Sequence, residues 1–318
     1  LQGNLTTDII KGTALTSLVF ALSAFMPVIG FFSALLIPLP VLYYRAKLGR
    51  AAATIIAALT LIIMIIIAGR PSIDLMFFIE LIWLGFVLSE IIEHNLSLEK
   101  TIIYTCTAVV VSAFFILLLY STTAGIGLGA MVSGYVQRNL ELTMQLYQRM
   151  GVTPENVQIL SQSLDQIHYV LVRILPALMV SAALLATWAN LLIARPLLKR
   201  RNLFYPGFGP LNHWSAPDVL VWCAIGGGLS LLIPNQTIKM IGMNALIVLL
   251  VIYFLQGIAI LSFFFEKKRF PRILKIFIYC LIALQQILLL LIIGLGFFDL
   301  WLNFRKLEKH SNDNNAAS

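Results

Sequence analysis

Charge is scarce in this chain of 318 residues: Asp, Glu, Lys and Arg together make up 11%, while apolar residues reach 60%. Soluble globular domains carry about 25% charged residues. So few charges cannot cover the surface of a water-soluble fold of this length, which excludes the one or two soluble domains that length alone would suggest. Cysteine is equally sparse. Cys106, Cys223 and Cys280 each fall inside an apolar run, none in a CxxC pair, so they read as small core residues rather than disulfide, redox or metal positions. Catalytic motifs are missing too. There is no HExxH and no nucleophile–base arrangement, and Gly226-Gly227-Gly228 has no GxxxxGK[ST] around it. Gly125-x-Gly127-x-Gly129 lacks the preceding strand of a dinucleotide site. The net charge of +8 is not gathered into a basic domain or accompanied by a nucleic-acid motif, so no nucleic-acid partner is expected. The chain reads as a non-enzyme without cofactor or metal. The sequons at Asn4, Asn95 and Asn235 carry little meaning outside eukaryotic secretion.

What fills the chain instead is a series of continuous apolar runs. Continuity rather than alternation marks an α-helical membrane protein and not a β-barrel. Spans are expected at about Ile9–Met26, Gly30–Tyr44, Ala51–Ala68, Ile73–Ile92 and Thr101–Tyr120. Tyr169–Ala194, Val219–Ile233, Met240–Phe265 and Ile273–Phe304 follow. The first run, which leads to no small-residue cleavage site, reads as a span rather than a removed signal. A hydrocarbon core of ~30 Å needs about 20 helical residues. The second and seventh runs are short of that, and the last exceeds it, with room to fold back near Gly294 and Gly296. Pro27, Pro38 and Pro40 predict a kinked or partial second span. The sequence therefore predicts an all-α polytopic bundle of about eight or nine spans.

Lys and Arg gather in clusters after alternate runs: Arg45, Lys47 and Arg50; then Arg195, Lys199, Arg200 and Arg201. Lys267, Lys268, Arg269, Arg272 and Lys275 form the third. If each run crosses once, these clusters share a side with Lys11 and Lys100, leaving Arg70, Arg138, Arg149 and Lys239 opposite. The positive-inside rule makes the first side, and the N-terminus, cytoplasmic. Nine crossings would then put the basic tail outside, in conflict with that rule.

Residues 121–168 predict an external helical hairpin. Glycines 125, 127, 129 and 134 precede an amphipathic helix over Tyr135–Met150, which Gly151 stops. Thr153-Pro154-Glu155 restarts a helix that continues into the sixth span. It could be a lid over an outward-facing cavity or a connector resting on the bilayer.

Ionisable groups inside a membrane cost ~2.5–3.5 kcal/mol each at a helix centre, so each is a functional candidate. Glu80, Trp83, Val87, Glu90 and His94 share one stripe of the fourth span. Glu90, Glu93 and His94 lie near its cytoplasmic end and read as interfacial; Glu80 is deeper. Its expected partner is Arg173, either as a fold-fixing ion pair or as the polar end of a solute pocket with Trp83. Asn244, Gln256, Gln285 and Gln286 read as amides bonding between helices.

Two stretches carry a family resemblance. Gly296-Phe-Phe-Asp299-Leu-Trp301-Leu-Asn303-Phe-Arg305-Lys306 resembles the ending of the YybS-type bacterial membrane proteins, and Asn244 with Tyr253-Phe-Leu-Gln256-Gly257 resembles their other recurring feature. That family is in turn similar to the substrate-binding S components of energy-coupling-factor transporters. The resemblance implies a six-span bundle over residues 1–200, added spans over 201–304 and a polar tail over 305–318. It also implies a first-helix docking face, which Ser17-x-x-x-Ala21 approximates here. Such small-residue faces favour helix packing in general. The expected protein sits in the bacterial cytoplasmic membrane and binds or transports a small solute. Its protein partner would be an ATPase module. The alternative is a scaffold or regulator whose partner docks on the basic loops or on the Asp299–Arg305 tail.

Overall fold

The computed structural model describes residues 5–69, 73–150 and 154–305. Arg70, the Gly151 and Thr153 helix signals and the tail beyond Arg305 lie outside them. The described residues are helical throughout apart from connecting segments, and they divide into two compact units, Leu1–Gly207 and Phe208–Ser318.

The first unit holds α1 (Leu5–Phe25), α2 (Pro27–Ala34), α3 (Pro38–Leu48), α4 (Arg50–Ala68), α5 (Ile73–Glu93), α6 (Leu98–Ala124), α7 (Leu128–Arg149) and α8 (Pro154–Arg200). The proline-rich second run is broken into two short helices. Pro27 and Pro38 each open a helix at its first turn, where a missing N–H costs nothing. The two pieces retrace α1: Ser23 bonds the Gly30 carbonyl at one end, and Lys47 meets Asp8 at the other, 2.7 Å away. Breaking the ladder frees the Leu35 carbonyl, and Asn190 of α8 donates to it at 2.7 Å. A neighbouring helix thus satisfies the backbone that the prolines disrupt, as non-helical backbone at membrane depth requires. Gly85 lets α5 rest directly on the Pro38 backbone, where a Cβ would overlap it. Gly49, Gly69 and Gly125 end α3, α4 and α6 at positive φ, which glycine adopts without a Cβ penalty.

α7 begins seven residues before the expected Tyr135, and α8 is one helix of 47 residues running from the hairpin to the basic cluster. The hairpin therefore lies at the opposite end of the unit from Arg45.

The second unit starts with a largely extended segment containing one 3-10 turn, Leu211–His213. It continues with α9 (Val219–Ser230), α10 (Gln236–Lys267), α11 (Arg272–Leu284) and α12 (Gln286–Leu302). Asn235 caps α10, accepting the Thr237 and Ile238 amides at 3.0 and 3.2 Å. Its place in a sequon reflects this turn.

Among the described residues six helices are long and apolar enough to cross a bilayer: α1, α4, α5, α6, α8 and α10. α11 and α12 qualify only together, bent by 104°, which makes seven at most by length and composition. The expected eight or nine spans are therefore not reached. α2, α3 and α9 are too short to count singly, with 8, 11 and 12 residues. The overlong last run breaks at Gln285, in extended backbone, rather than near Gly294 or Gly296.

Candidate functional site

Glu80 lies on α5, the most enclosed of the candidate spans, and is 8% exposed. One carboxyl oxygen, Oε2, lies 2.9 Å from Ser112 Oγ of α6. The other, Oε1, is buried with no hydrogen-bond partner. Ser112 Oγ is also 2.9 Å from its own-helix Val109 carbonyl.

The expected Glu80–Arg173 ion pair does not form. Arg173 is exposed, donates to the Tyr169 carbonyl at 3.1 Å and lies over the Tyr169 ring, 3.4 Å from its centroid. The reason is helix register. Cys106 of α6 meets Thr187 of α8 at 3.7 Å. Six residues along each antiparallel helix, Ser112 comes level with Ser181. Arg173 is eight residues further out, about 12 Å at 1.5 Å per residue. By that count α8 brings Ser181 rather than Arg173 to this depth, and the Ser181 hydroxyl is buried without a partner. Trp83 is 43% exposed and stacks on Phe86, so it stands off the Glu80–Ser112 contact.

Glu90 and Glu93, read as interfacial, hold the largest fully buried side chain among the described residues. Arg45 of α3 is 2% exposed. Its guanidinium pairs with both Glu90 and Glu93 of α5 and points Nη1 at the Ser89 carbonyl, 3.4 Å away. Arg50 reaches the other oxygen of Glu90 at 2.5 Å. Sequence reasoning counted Arg45 only as a topological charge. The available signal was the pair of carboxylates three residues apart at the end of α5, facing a helix that prolines force to stop short.

In the second unit the residues behind the family resemblance converge. Asp299 of α12 is 8% exposed and Arg305 4% exposed. Asp299 Oδ2 accepts from Arg305 Nη2 at 2.7 Å and from Gln256 Nε2 at 3.2 Å, while Oδ1 accepts the Phe304 amide at 3.1 Å. Arg305 Nη1 donates to the Asn212 and Trp214 carbonyls at 3.0 and 2.8 Å, and Gln256 Oε1 accepts the Ala216 amide at 3.3 Å. Asn303 turns the chain at φ 40°, with its amide on the Asp299 carbonyl at 2.8 Å, which brings Arg305 back onto Asp299. Gly257 and Gly296 allow the crossing of α10 and α12 here, each facing the other helix's backbone. One arginine, one aspartate and one glutamine thus fasten the extended segment, α10 and α12 together. Asn244, more than three turns before Gln256 on α10, bonds back to the Met240 carbonyl at 2.8 Å. Gln285 and Gln286, expected as buried amides, are exposed at the break.

On α1 the buried face is Gly12, Thr13, Thr16 and Phe20, with Ser17 and Ala21 half-buried at its edge. The hairpin is fastened at its root: Tyr135 donates to Asp74 at 2.6 Å, and His168 Nε2 lies 3.1 Å from Ser133 Oγ. Burial, then the hydrogen bond to Asp74 and its charge, push the Tyr135 phenol up to about 12. Among the described residues no cluster of three His, Cys, Asp or Glu could hold a metal ion.

A sequence profile described as "Predicted membrane protein (DUF2232)" matches residues 14–300. The chain is also similar to the uncharacterized protein YybS of Bacillus subtilis (strain 168), with 20% identity over 96% of this chain and 99% of the relative. No solved structure matches it.

Proposed function

From the membership of this chain in the DUF2232 family of predicted membrane proteins, we propose that it binds a small solute within its first unit and passes it across the cytoplasmic membrane. Glu80 is the polar anchor. One observation supports this reading above the rest: the Glu80 carboxyl is enclosed between spans, yet Oε1 has no hydrogen-bond partner. Buried polar groups are ordinarily satisfied, and an unmatched one at membrane depth is a group awaiting a partner. A solute bearing a hydrogen-bond donor fits that oxygen. Ser112 and Ser181 supply the further polar contacts, in place of the Arg173 and Trp83 contacts first expected. Because no cation among the described residues neutralises Glu80, an amine or hydroxyl suits it better than a carboxylate.

The orientation in this reading has the basic clusters and the N-terminus in the cytoplasm, with the hairpin outside over the solute's entry. Whether the bundle works in the manner of an energy-coupling-factor S component depends on an ATPase module docking against α1. The half-buried Ser17–Ala21 edge is the surface for it.

Native mass spectrometry of full-length protein in mild detergent tests the reading. Retention of a small molecule by the wild type and its loss in Glu80→Ala would support it. A ligand-free wild type that also shows no solute uptake after reconstitution would overturn it. The rival, a scaffold that recruits a partner, would appear as a stoichiometric cytosolic or envelope protein in an affinity pulldown, with no retained solute. The basic loops suit its dock better than Asp299 and Arg305, which are buried and bonded to one another.

A further inference from the structure

We propose that Glu80 and Ser112 form a proton-carrying site between α5 and α6, the carboxyl taking up and releasing one proton as the hydroxyl turns between two acceptors. Ser112 has one hydroxyl hydrogen and two oxygens at 2.9 Å, Glu80 Oε2 and the Val109 carbonyl. It can donate to only one at a time. When it donates to Glu80, Oε2 accepts as an anion, because the other possibility, an acid with its proton on Oε1, would leave that proton with no acceptor. When it donates to Val109, the short contact to Glu80 persists only if the carboxyl carries a proton and donates it to Ser112 Oγ. The same heavy-atom geometry therefore serves both protonation states, and the two differ by one proton and one hydroxyl rotation. The proton released from Glu80 goes to water or to a basic group of an entering solute, and the anion left behind has Oε1 open to receive that donor.

The surroundings select which form the closed packing holds. Among the described residues, the charged and titratable groups nearest along these helices are engaged elsewhere. On α5 itself, Asp74 accepts from Tyr135, and Glu90 pairs with Arg45 of α3 and Arg50 of α4. Cys106 of α6 contacts Thr187, and Arg173 of α8 lies over Tyr169. An unpaired carboxylate enclosed here would carry the full cost of a buried charge. The packing therefore holds the neutral acid, with Ser112 donating to Val109, and opening toward water or a cationic solute draws the proton off. The use of this step to couple proton movement to solute movement rests on the reading above; the proton site itself does not.

Infrared spectroscopy of the full-length protein in lipid nanodiscs, with no solute added, tests it. The expected result is a carboxylic-acid carbonyl band at neutral pH that is absent from Glu80→Gln and moved in frequency by Ser112→Ala. Glu80→Gln keeps the shape of the neutral acid, so it should fold with wild-type thermal stability. A wild-type spectrum without that band, or a band that both variants leave unchanged, would overturn the proposal. If Glu80→Gln fails to fold, Ser112→Ala decides alone: an unmoved band refutes the site. A band present in a protein that retains and moves no solute would keep the proton site and discard the transport reading. Solute binding without the band would do the reverse.

Discussion

Removing Arg45 should destabilise the first unit more than removing either carboxylate that holds it. The guanidinium side chain is 1% exposed, whereas Glu90 is 26% and Glu93 52% exposed. Removing Arg45 forfeits both ion pairs at once, whereas each carboxylate variant leaves it one, and loss of a partner from a buried pair costs about 3–5 kcal/mol. Arg45→Met leaves Glu90 with Arg50 still at 2.5 Å and Glu93 free to turn to water, so the penalty falls at the lower end, about 3 kcal/mol. Glu90→Gln strands Arg45 with a half-exposed partner and should cost about 2 kcal/mol. Glu93→Gln removes a contact that solvent already screens, and about 1 kcal/mol or less is expected. The double variant Arg45→Met with Glu90→Gln should be less destabilised than the sum of the singles, because neither charge is left behind. Reversible unfolding in mixed detergent, followed by helix content, measures the whole cycle. An Arg45→Met loss no larger than that of Glu93→Gln would refute the claim that the buried guanidinium organises α3 against α5. So would additivity in the double variant.

Gly257→Ala and Gly296→Ala should each cost about 1–3 kcal/mol and separate α10 from α12, because the new methyl would overlap backbone across the crossing. Gly294→Ala, with open space at its Cβ, should be neutral or stabilising by up to about 1 kcal/mol in the same unfolding assay. Arg305→Lys should loosen the extended segment, since an ammonium cannot hold Asp299 and two carbonyls in one plane. Faster protease cleavage near residues 208–217 would show it. The hairpin root should weaken at high pH. A phenol raised in the fold adds stability below its ordinary value near 10, and that contribution disappears as pH climbs through the folded value of about 12. Tyr135→Phe should remove this alkaline limb from the hairpin's hydrogen-exchange protection and delete one late-titrating tyrosinate from the ultraviolet titration.

Much of the class was legible in the composition, because a chain this poor in charge has no other solvent. Local breaks followed from chemistry as well: Pro27 and Pro38 split the second run, and Gly125 ended α6 before the hairpin. What hydropathy does not carry is register between helices. It places each run to within a turn or two, and a misplacement of about two turns separates Arg173 from Glu80. The helix restarting at Pro154 was expected to continue into the sixth run, and α8 does so without interruption. Arg45 was missed for a related reason. A cation beside a span end counts toward topology whether it faces water or a neighbouring helix, and only the return of α2 and α3 along α1 turns it inward. The break at Gln285 carried no proline or glycine to announce it. The C-terminal network was half visible: Gln256, Asp299, Asn303 and Arg305 were singled out by resemblance, but their meeting depends on the backbone turn at Asn303.

The uninterrupted run of α8 has a mechanical consequence. Forty-seven helical residues extend about 70 Å, well beyond the ~40–45 Å of a bilayer with its headgroups. Hairpin and basic cluster are therefore two handles on one helix, and Pro176, which removes a ladder bond within it, is a point where that helix is free to bend between them.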